Sequence, residues 1–322
     1  MNAIEAITAE MNELEASFSR LPVAMAGSKN AASGTLAAWQ EHVAAPAVGD
    51  DLAVLAISLA FAGPLLSIVG GSNVGVSFVG PSGVGKTQKA RLMASVWGSP
   101  GKMIHSSNAT PAALEAIAAA ADGRMVIFDE LDRGHDPAGI IRMLHDGHGK
   151  LRARRDGVKQ QATFRLAFMT TSESDYAPRN GGSASSVTIK MNTRSQAIPA
   201  IAEAAERFHG TAGPAFLAAM AERTEVSGAD FIWDAFDAVH YQIIGDIFPS
   251  HEDDGQSYED DGTSERVRQM THIAWACACQ MATIAAAGEA ATHLGILPWP
   301  AGTAIRAVMN VFNGMGAKMT PQ

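Results

Sequence analysis

The chain has 322 residues, a net charge of -9 and a pI near 5.5, which excludes a globally basic nucleic-acid coat and leaves any such contact to a local patch. That length suits one large domain or two smaller ones, with ample apolar content for a core. Two cysteines, Cys277 and Cys279, sit two positions apart in an Ala-rich stretch; a helix turns such neighbours away from each other, so neither a disulfide nor a metal pair is expected and a reducing cytoplasm fits.

Met1 to Arg20 carries Glu5, Glu10, Glu13 and Glu15 and no basic n-region, so it does not read as a signal peptide. A helical or flexible arm is expected over residues 1–34. Helices are expected over Thr35 to Ala44 and Asp51 to Val69. The second is apolar but interrupted by Gly63-Pro64, so it reads as a buried helix rather than a membrane span, and no membrane partner is expected. The first strand starts at Val74 and runs through Val76-Ser77-Phe78-Val79; Gln88 to Trp97 reads as helix. Lys102 to Ser107 reads as a second strand. Pro111 opens a helix, Ala112 to Ala121, at the position proline prefers. Asp122-Gly123 ends that helix, and Arg124 to Glu130 is an apolar strand closing on two acids. A helix over Pro137 to Leu144 leads into Gly147 and Gly149. Two strand-like runs, Leu151 to Arg155 and Val158 to Arg165, flank Asp156-Gly157, a hairpin turn signal. The second run flows into a buried strand, Leu166 to Thr171. From Pro199 onward the pattern is helical, apart from an acidic stretch, Glu252 to Glu265, that reads as a solvated loop.

Residues 80 to 87 read Gly80-Pro81-Ser82-Gly83-Val84-Gly85-Lys86-Thr87, a complete G-x-x-x-x-G-K-[ST] phosphate-binding loop between a strand and a helix. Its glycines let successive N–H groups turn inward toward phosphate oxygens, and the following helix adds its positive end, beginning near Gln88. Lys86 is expected to reach the β- and γ-phosphates of ATP, and the Thr87 hydroxyl to bind Mg²⁺. The spacing to Asp129-Glu130 leaves room for one strand–helix unit, so the acid-bearing strand is expected beside the loop-bearing strand, with another at the edge. Asp129 would complete the Mg²⁺ shell, and Glu130 would orient and deprotonate the attacking water. Thr171 is the chosen hydrogen-bonding partner for that water or the γ-phosphate, the role called sensor one in AAA+ ATPases, with Thr170 close behind. Such ATPases form rings in which a neighbour supplies an arginine; Arg194 is preferred, with Arg179 the other candidate. The fold expected is α/β: a P-loop ATPase core with a central parallel sheet and flanking helices over residues 35–198, an inserted β-hairpin, and a helical C-terminal subdomain over 199–322.

The hairpin is locally basic. Lys150, Arg152, Arg154, Arg155, Lys159 and Arg165 are opposed by Asp156 alone. Period two places Lys150, Arg152 and Arg154 on one strand face, with Arg155 and Lys159 flanking the turn. Cations so placed can pair with the phosphates of a threaded nucleic acid without reading its sequence. The competing reading is an edge hairpin kept soluble by its charges.

Several segments together resemble one family. They are Gly34 to Trp39, Gly80 to Thr87, Ala94 to Pro100, Asp129-Glu130-Leu131, Gly147 to Arg154, and Ala287 to Ala290 continuing through Gly295, Trp299 and Gly302. From about residue 34 the chain resembles the helicase-like domain-of-unknown-function family nine-two-seven, which often sits behind primase modules in phages, plasmids and genomic islands. The resemblance implies an AAA+-like, ring-forming ATPase that unwinds or translocates single-stranded DNA in a hexamer channel, using a separate primase or loader. By it, Lys86, Thr87, Asp129 and Glu130 inherit the nucleotide roles, and the region after Gly149 lies near the DNA. The family's strand-end Ser/Thr-Gly-Glu is here Thr171-Ser172-Glu173. The rival expectation is a nucleotide-switched scaffold or remodeller acting on a protein partner.

Overall fold

A computed structural model describes residues 32–133, 136–154, 157–159, 161–175, 186–193, 197–227, 230–248 and 265–316. In chain order the elements begin with α1 (Leu36–Trp39), a π turn (Gln40–Ala44), α2 (Ala45–Ala47) and α3 (Asp51–Val69). The elements of the sheet follow with β1 (Val74–Val79), α4 (Lys86–Ser95), α5 (Pro100–Met103), β2 (Ile104–Ser106), α6 (Pro111–Ala120) and β3 (Met125–Asp129). A 3-10 turn (Leu131–Arg133) leads to α7 (Pro137–Asp146), the hairpin strands β4 (Arg152–Arg154) and β5 (Gly157–Lys159), then β6 (Ala167–Ser172) and β7 (Val187–Lys190). Helices α8 (Ile198–Arg207), α9 (Ala212–Ser227), α10 (Asp230–Ile247), α11 (Glu265–His293) and α12 (Thr303–Gly316) close the chain.

Five strands form one parallel sheet in the order β2-β3-β6-β1-β7. β1 and β6 are buried along their whole length, as strands covered on both faces must be. On one face lies a large apolar cluster drawn from α3, α4, α11, α12 and side chains such as Val76, Phe78 and Met169. On the other, Leu114, Ile140 and Leu144 from α6 and α7 pack on Val126, Phe128 and Phe168. The sheet order corrects one expectation. β3 does not lie beside β1, because β6 inserts between them and pairs with both, Val79 opposite Ser172 and Phe128 opposite Thr170. β7, which the sequence reading passed over, pairs on the far side of β1 and closes that edge.

α3 is continuous through Gly63-Pro64 rather than broken there. Proline lacks the N–H that would bond the carbonyl of Ala60, and the indole Nε1–H of Trp97 donates to that carbonyl instead at 2.8 Å. Gly63 allows the backbone of Arg124 to approach so closely that a Cβ would sit 1.7 Å from its carbonyl oxygen. By length and hydropathy α3 passes as a membrane span, but 89% of that stretch is buried inside the protein. Trp39 and Trp299 are satisfied in the same way, donating to Ser95 Oγ at 2.9 Å and to the Ala44 carbonyl at 2.7 Å. These tryptophans are therefore core residues.

Two strand boundaries move. Lys102 lies in a helical turn that runs from Pro100 to Met103, so β2 is only Ile104–Ser106. In the hairpin Arg154 pairs with Gly157 and Arg152 with Lys159, which places Gly157 in the strand rather than in the turn. The same register continues at the root, where His148 bridges Thr163. Lys150 lies outside β4, so the expected face of Lys150, Arg152 and Arg154 rests on a strand holding only the last two.

Candidate nucleotide site

The carboxyl ends of β1, β3 and β6 meet at one edge, the place where ligands bind in open parallel sheets. Between β1 and α4 the chain turns through Gly83 (φ 85°) and Gly85 (φ 98°), left-handed conformations that suit glycine. Gly85 caps α4 without a side chain, so the first amides of that helix are not consumed by a cap. Lys86 is buried, and its Nζ donates to the carbonyls of Gly80 at 2.6 Å and Pro81 at 2.9 Å. Those bonds lay its ammonium across the loop. A cleft of about 220 Å³ opens here, bounded by Ser82, Gly83, Gly85, Lys86, Thr87 and Gln88 on one side, and by Asp129, Glu130 and Thr171 to Glu173 on the other. Val84 turns its side chain into the core, so only its backbone is available to a ligand. The carboxamide oxygen of Gln88 is buried in the cleft without a protein partner.

Across the cleft the polar groups converge on one carboxylate. Thr87 Oγ1 donates to Asp129 Oδ2 at 3.2 Å and Oδ1 at 3.3 Å. Thr171 Oγ1 also donates to Asp129 Oδ1 and accepts the Glu130 N–H at 3.0 Å. Thr171 can reach both because β6 lies next to β3. Thr170, one residue earlier, faces the other side of the sheet and donates to Ser77 Oγ at 2.8 Å. Of the two threonines, only Thr171 lines the cleft.

Glu130 has a positive φ of 55°, alone among the described non-glycine residues. Its backbone is held at both ends, its N–H by Thr171 and its carbonyl by Ser107 Oγ and the Arg133 N–H. Its carboxylate forms an ion pair with Arg133 Nη1 at 2.7 Å. Asp132 Oδ2 accepts the Glu173 N–H at 3.0 Å, tying the 3-10 turn to the end of β6. Sequence reasoning missed Arg133 and Asp132; the only available signal was their place directly after Asp129-Glu130, in a turn the sequence does not announce. Ser82, Gly83, Gly85, Lys86, Thr87, Gln88, Asp129, Glu130 and Thr171 are thus brought together.

The remaining expectations fall elsewhere. Arg179, Arg194 and Arg155 lie outside the described residues, as does most of the acidic stretch. Lys150 is exposed at the hairpin root, its N–H donating to Glu115 Oε2 at 3.3 Å, and Leu151 beside it is 63% exposed. The root is held at the opposite end of the sheet by Asn73, the residue before β1. Asn73 Nδ2 donates to the carbonyls of Leu144 at 2.6 Å and Phe164 at 3.3 Å, and Oδ1 accepts the Leu166 N–H at 2.9 Å. The cysteines are no part of this site: burial pushes the Cys277 thiol up to about 11.

Residues 11–163 match the model of a family described as a domain of unknown function (DUF927). That span holds the phosphate loop, Asp129-Glu130 and the Gly149 to Arg152 segment, while Thr171 and the Ala287 to Gly302 segment lie beyond it. No curated protein matches the chain in sequence. Among solved structures the chain is similar to one described as "SCCmec type IV Cch - active helicase", with a TM-score of 0.67 and 18% identity over 90% of this chain and 53% of that one. The chain therefore spans about half the length of that structure. The likeness is one of fold: a parallel five-stranded sheet flanked by helices.

Proposed function

We propose that the chain is the ATP-hydrolysing core of a DNA helicase or translocase. The observation that carries this reading is the convergence of the Thr87 and Thr171 hydroxyls on Asp129, across a cleft from a glycine loop and a buried lysine. Lys86 would leave its loop carbonyls for the β- and γ-phosphates, and the amides from Gly83 to Gln88 would surround them. Thr87 and Asp129 supply the hard oxygen donors that suit Mg²⁺, which keeps waters and phosphate oxygens as its other ligands. When bound, that ion would neutralise charge developing on the phosphates. Glu130 would accept the proton of the attacking water, and Thr171 would fix both acids by bonding the carboxylate of one and the amide of the other.

The basic hairpin, with Lys150, Arg152, Arg154, Arg155 and Lys159, would grip single-stranded DNA by its phosphates. A hexameric ring with Arg194 supplied to the neighbouring site, a mobile element as the setting, and a separate primase or loader complete the proposal. The similarity in fold to a structure described as a helicase supports it.

The test is phosphate release from ATP by the full chain, with and without single-stranded DNA. Lys86→Ala should weaken nucleotide binding about 10- to 100-fold, the range of a lost charge-assisted bond. Glu130→Gln should keep binding and lower kcat about 100-fold or more. Hydrolysis indifferent to DNA would sink the translocase reading and favour a protein remodeller.

A further inference from the structure

We propose that a cavity at the root of the hairpin reads one base of the bound DNA strand and favours bases that carry an exocyclic amino group, which rests on the reading of the hairpin as a DNA grip and deepens it. The cavity, of about 720 Å³, lies at the amino ends of the strands, away from the nucleotide cleft. Its walls include Asp122 after α6, His145 and Asp146 at the end of α7, and His148 and Thr163 of the hairpin root. That volume falls within the range of small-molecule sites and holds a base with its sugar.

The chemistry of the walls selects a base over a phosphate. Helices α3, α6 and α7 all end at this edge, at Val69, Ala120 and Asp146, and bring the negative ends of their dipoles to it. Asp122 is held in place as the acceptor of the Arg165 N–H at 2.8 Å. Its second oxygen and the exposed Asp146 carboxylate are acceptors for an amino group, and both repel a phosphate. Adenine, cytosine and guanine carry that group, and thymine does not. His145 lines the same cavity with its Nδ1 buried and without a protein partner, the kind of unmet group that a ligand satisfies. The hairpin leads a strand to this mouth. His148 stands opposite Thr163 in the register that sets Arg152 opposite Lys159, so it falls on the ribbon face of Lys150 and Arg152. Phosphates on those cations bring the next base to the exposed His148 ring, a platform for stacking. Arg165, exposed on the cavity wall, is the cation for the phosphate beside that base.

The experiment measures equilibrium binding of fluorescent deoxycytidine, deoxyadenosine and deoxythymidine oligonucleotides of equal length to the full chain, at one fixed salt concentration. The cytosine and adenine strands should bind about three- to ten-fold more tightly than the thymine strand, the range of one hydrogen bond. Asp122→Asn combined with Asp146→Asn keeps the shape and an acceptor for the Arg165 amide, but offers each base both a donor and an acceptor. The preference should then fall toward unity. His148→Ala should weaken all three strands about five-fold or more, since stacking is blind to base identity. Arg152→Ala combined with Arg154→Ala should weaken all three and flatten their salt dependence. Equal affinities for the three strands, with the arginine variant impaired, overturn the pocket and leave the hairpin grip standing. A preference that survives the carboxylate changes also overturns it, because it then belongs to the strands themselves. An arginine variant that binds like the parent removes the grip on which the pocket depends. Free deoxycytidine should compete only at far higher concentration; competition at equal concentration assigns the cavity to a free nucleoside and overturns the strand.

Discussion

Thr171 shows how one side chain can organise a site. Its hydroxyl donates to Asp129 and accepts from the Glu130 amide, using both of its hydrogen-bonding capacities within the cleft. Thr171→Val keeps the shape but removes both bonds, leaving the Glu130 amide at φ 55° without its partner. The substitution should cost about 1–3 kcal/mol in denaturant unfolding and lower kcat, with ATP affinity held. Thr170→Val removes an equally buried hydroxyl that bonds Ser77 on the other side of β6. It should leave kcat unchanged, and a matching loss there would show that the effect of Thr171 is one of general stability. Lys86, Thr87, Asp129 and Glu130 were legible in the sequence because their spacing encodes a local turn and a strand end. Arg133 was not, because its significance depends on a backbone conformation at Glu130 that no residue type there demands.

At the scale of elements, the sequence spoke clearly wherever a signal was local. The strand over Val74 to Val79, the apolar helix over Asp51 to Val69 and the hairpin pairing each follow from neighbours in the chain. Strand order did not, because β6 must travel past the hairpin before it inserts between β1 and β3, a non-local pairing that spacing alone leaves open. Gly63-Pro64 is the opposite case: a local signal for interruption that tertiary structure overrides. The carbonyl that Pro64 leaves free is taken by Trp97. Trp97→Phe should therefore cost about 1–3 kcal/mol from the orphaned buried carbonyl, beyond the loss of indole packing. Pro64→Ala restores an N–H at that position, so the double variant should recover part of the loss. A double-mutant cycle by chemical denaturation should give a coupling of about 0.5–3 kcal/mol. Additive costs would mean that the indole N–H contributes nothing there.

At the scale of the whole molecule, the proposed nucleotide site and the basic hairpin lie at opposite ends of the sheet. Two rigid elements join them: α7 runs out from the Glu130 turn, and β6 runs back to Thr171. Their far ends are clasped by Asn73, which bonds the end of α7 through Leu144, the returning hairpin through Phe164 and the approach to β6 through Leu166. Since Asn73 directly precedes β1, which leads into the phosphate loop, one buried carboxamide ties the hairpin root to α7, β6 and β1. Asn73→Ala leaves two carbonyls and an amide without it, a cost of about 1–3 kcal/mol or more. The nucleotide cleft, a strand length away, keeps all of its own contacts. ATP affinity and DNA-free hydrolysis should thus survive at a temperature where the variant is folded, while stimulation by single-stranded DNA falls toward unity. Backbone amides from Gly147 to Leu166 should exchange faster with solvent. If stimulation persists while those amides exchange faster, the hairpin does not signal through its root.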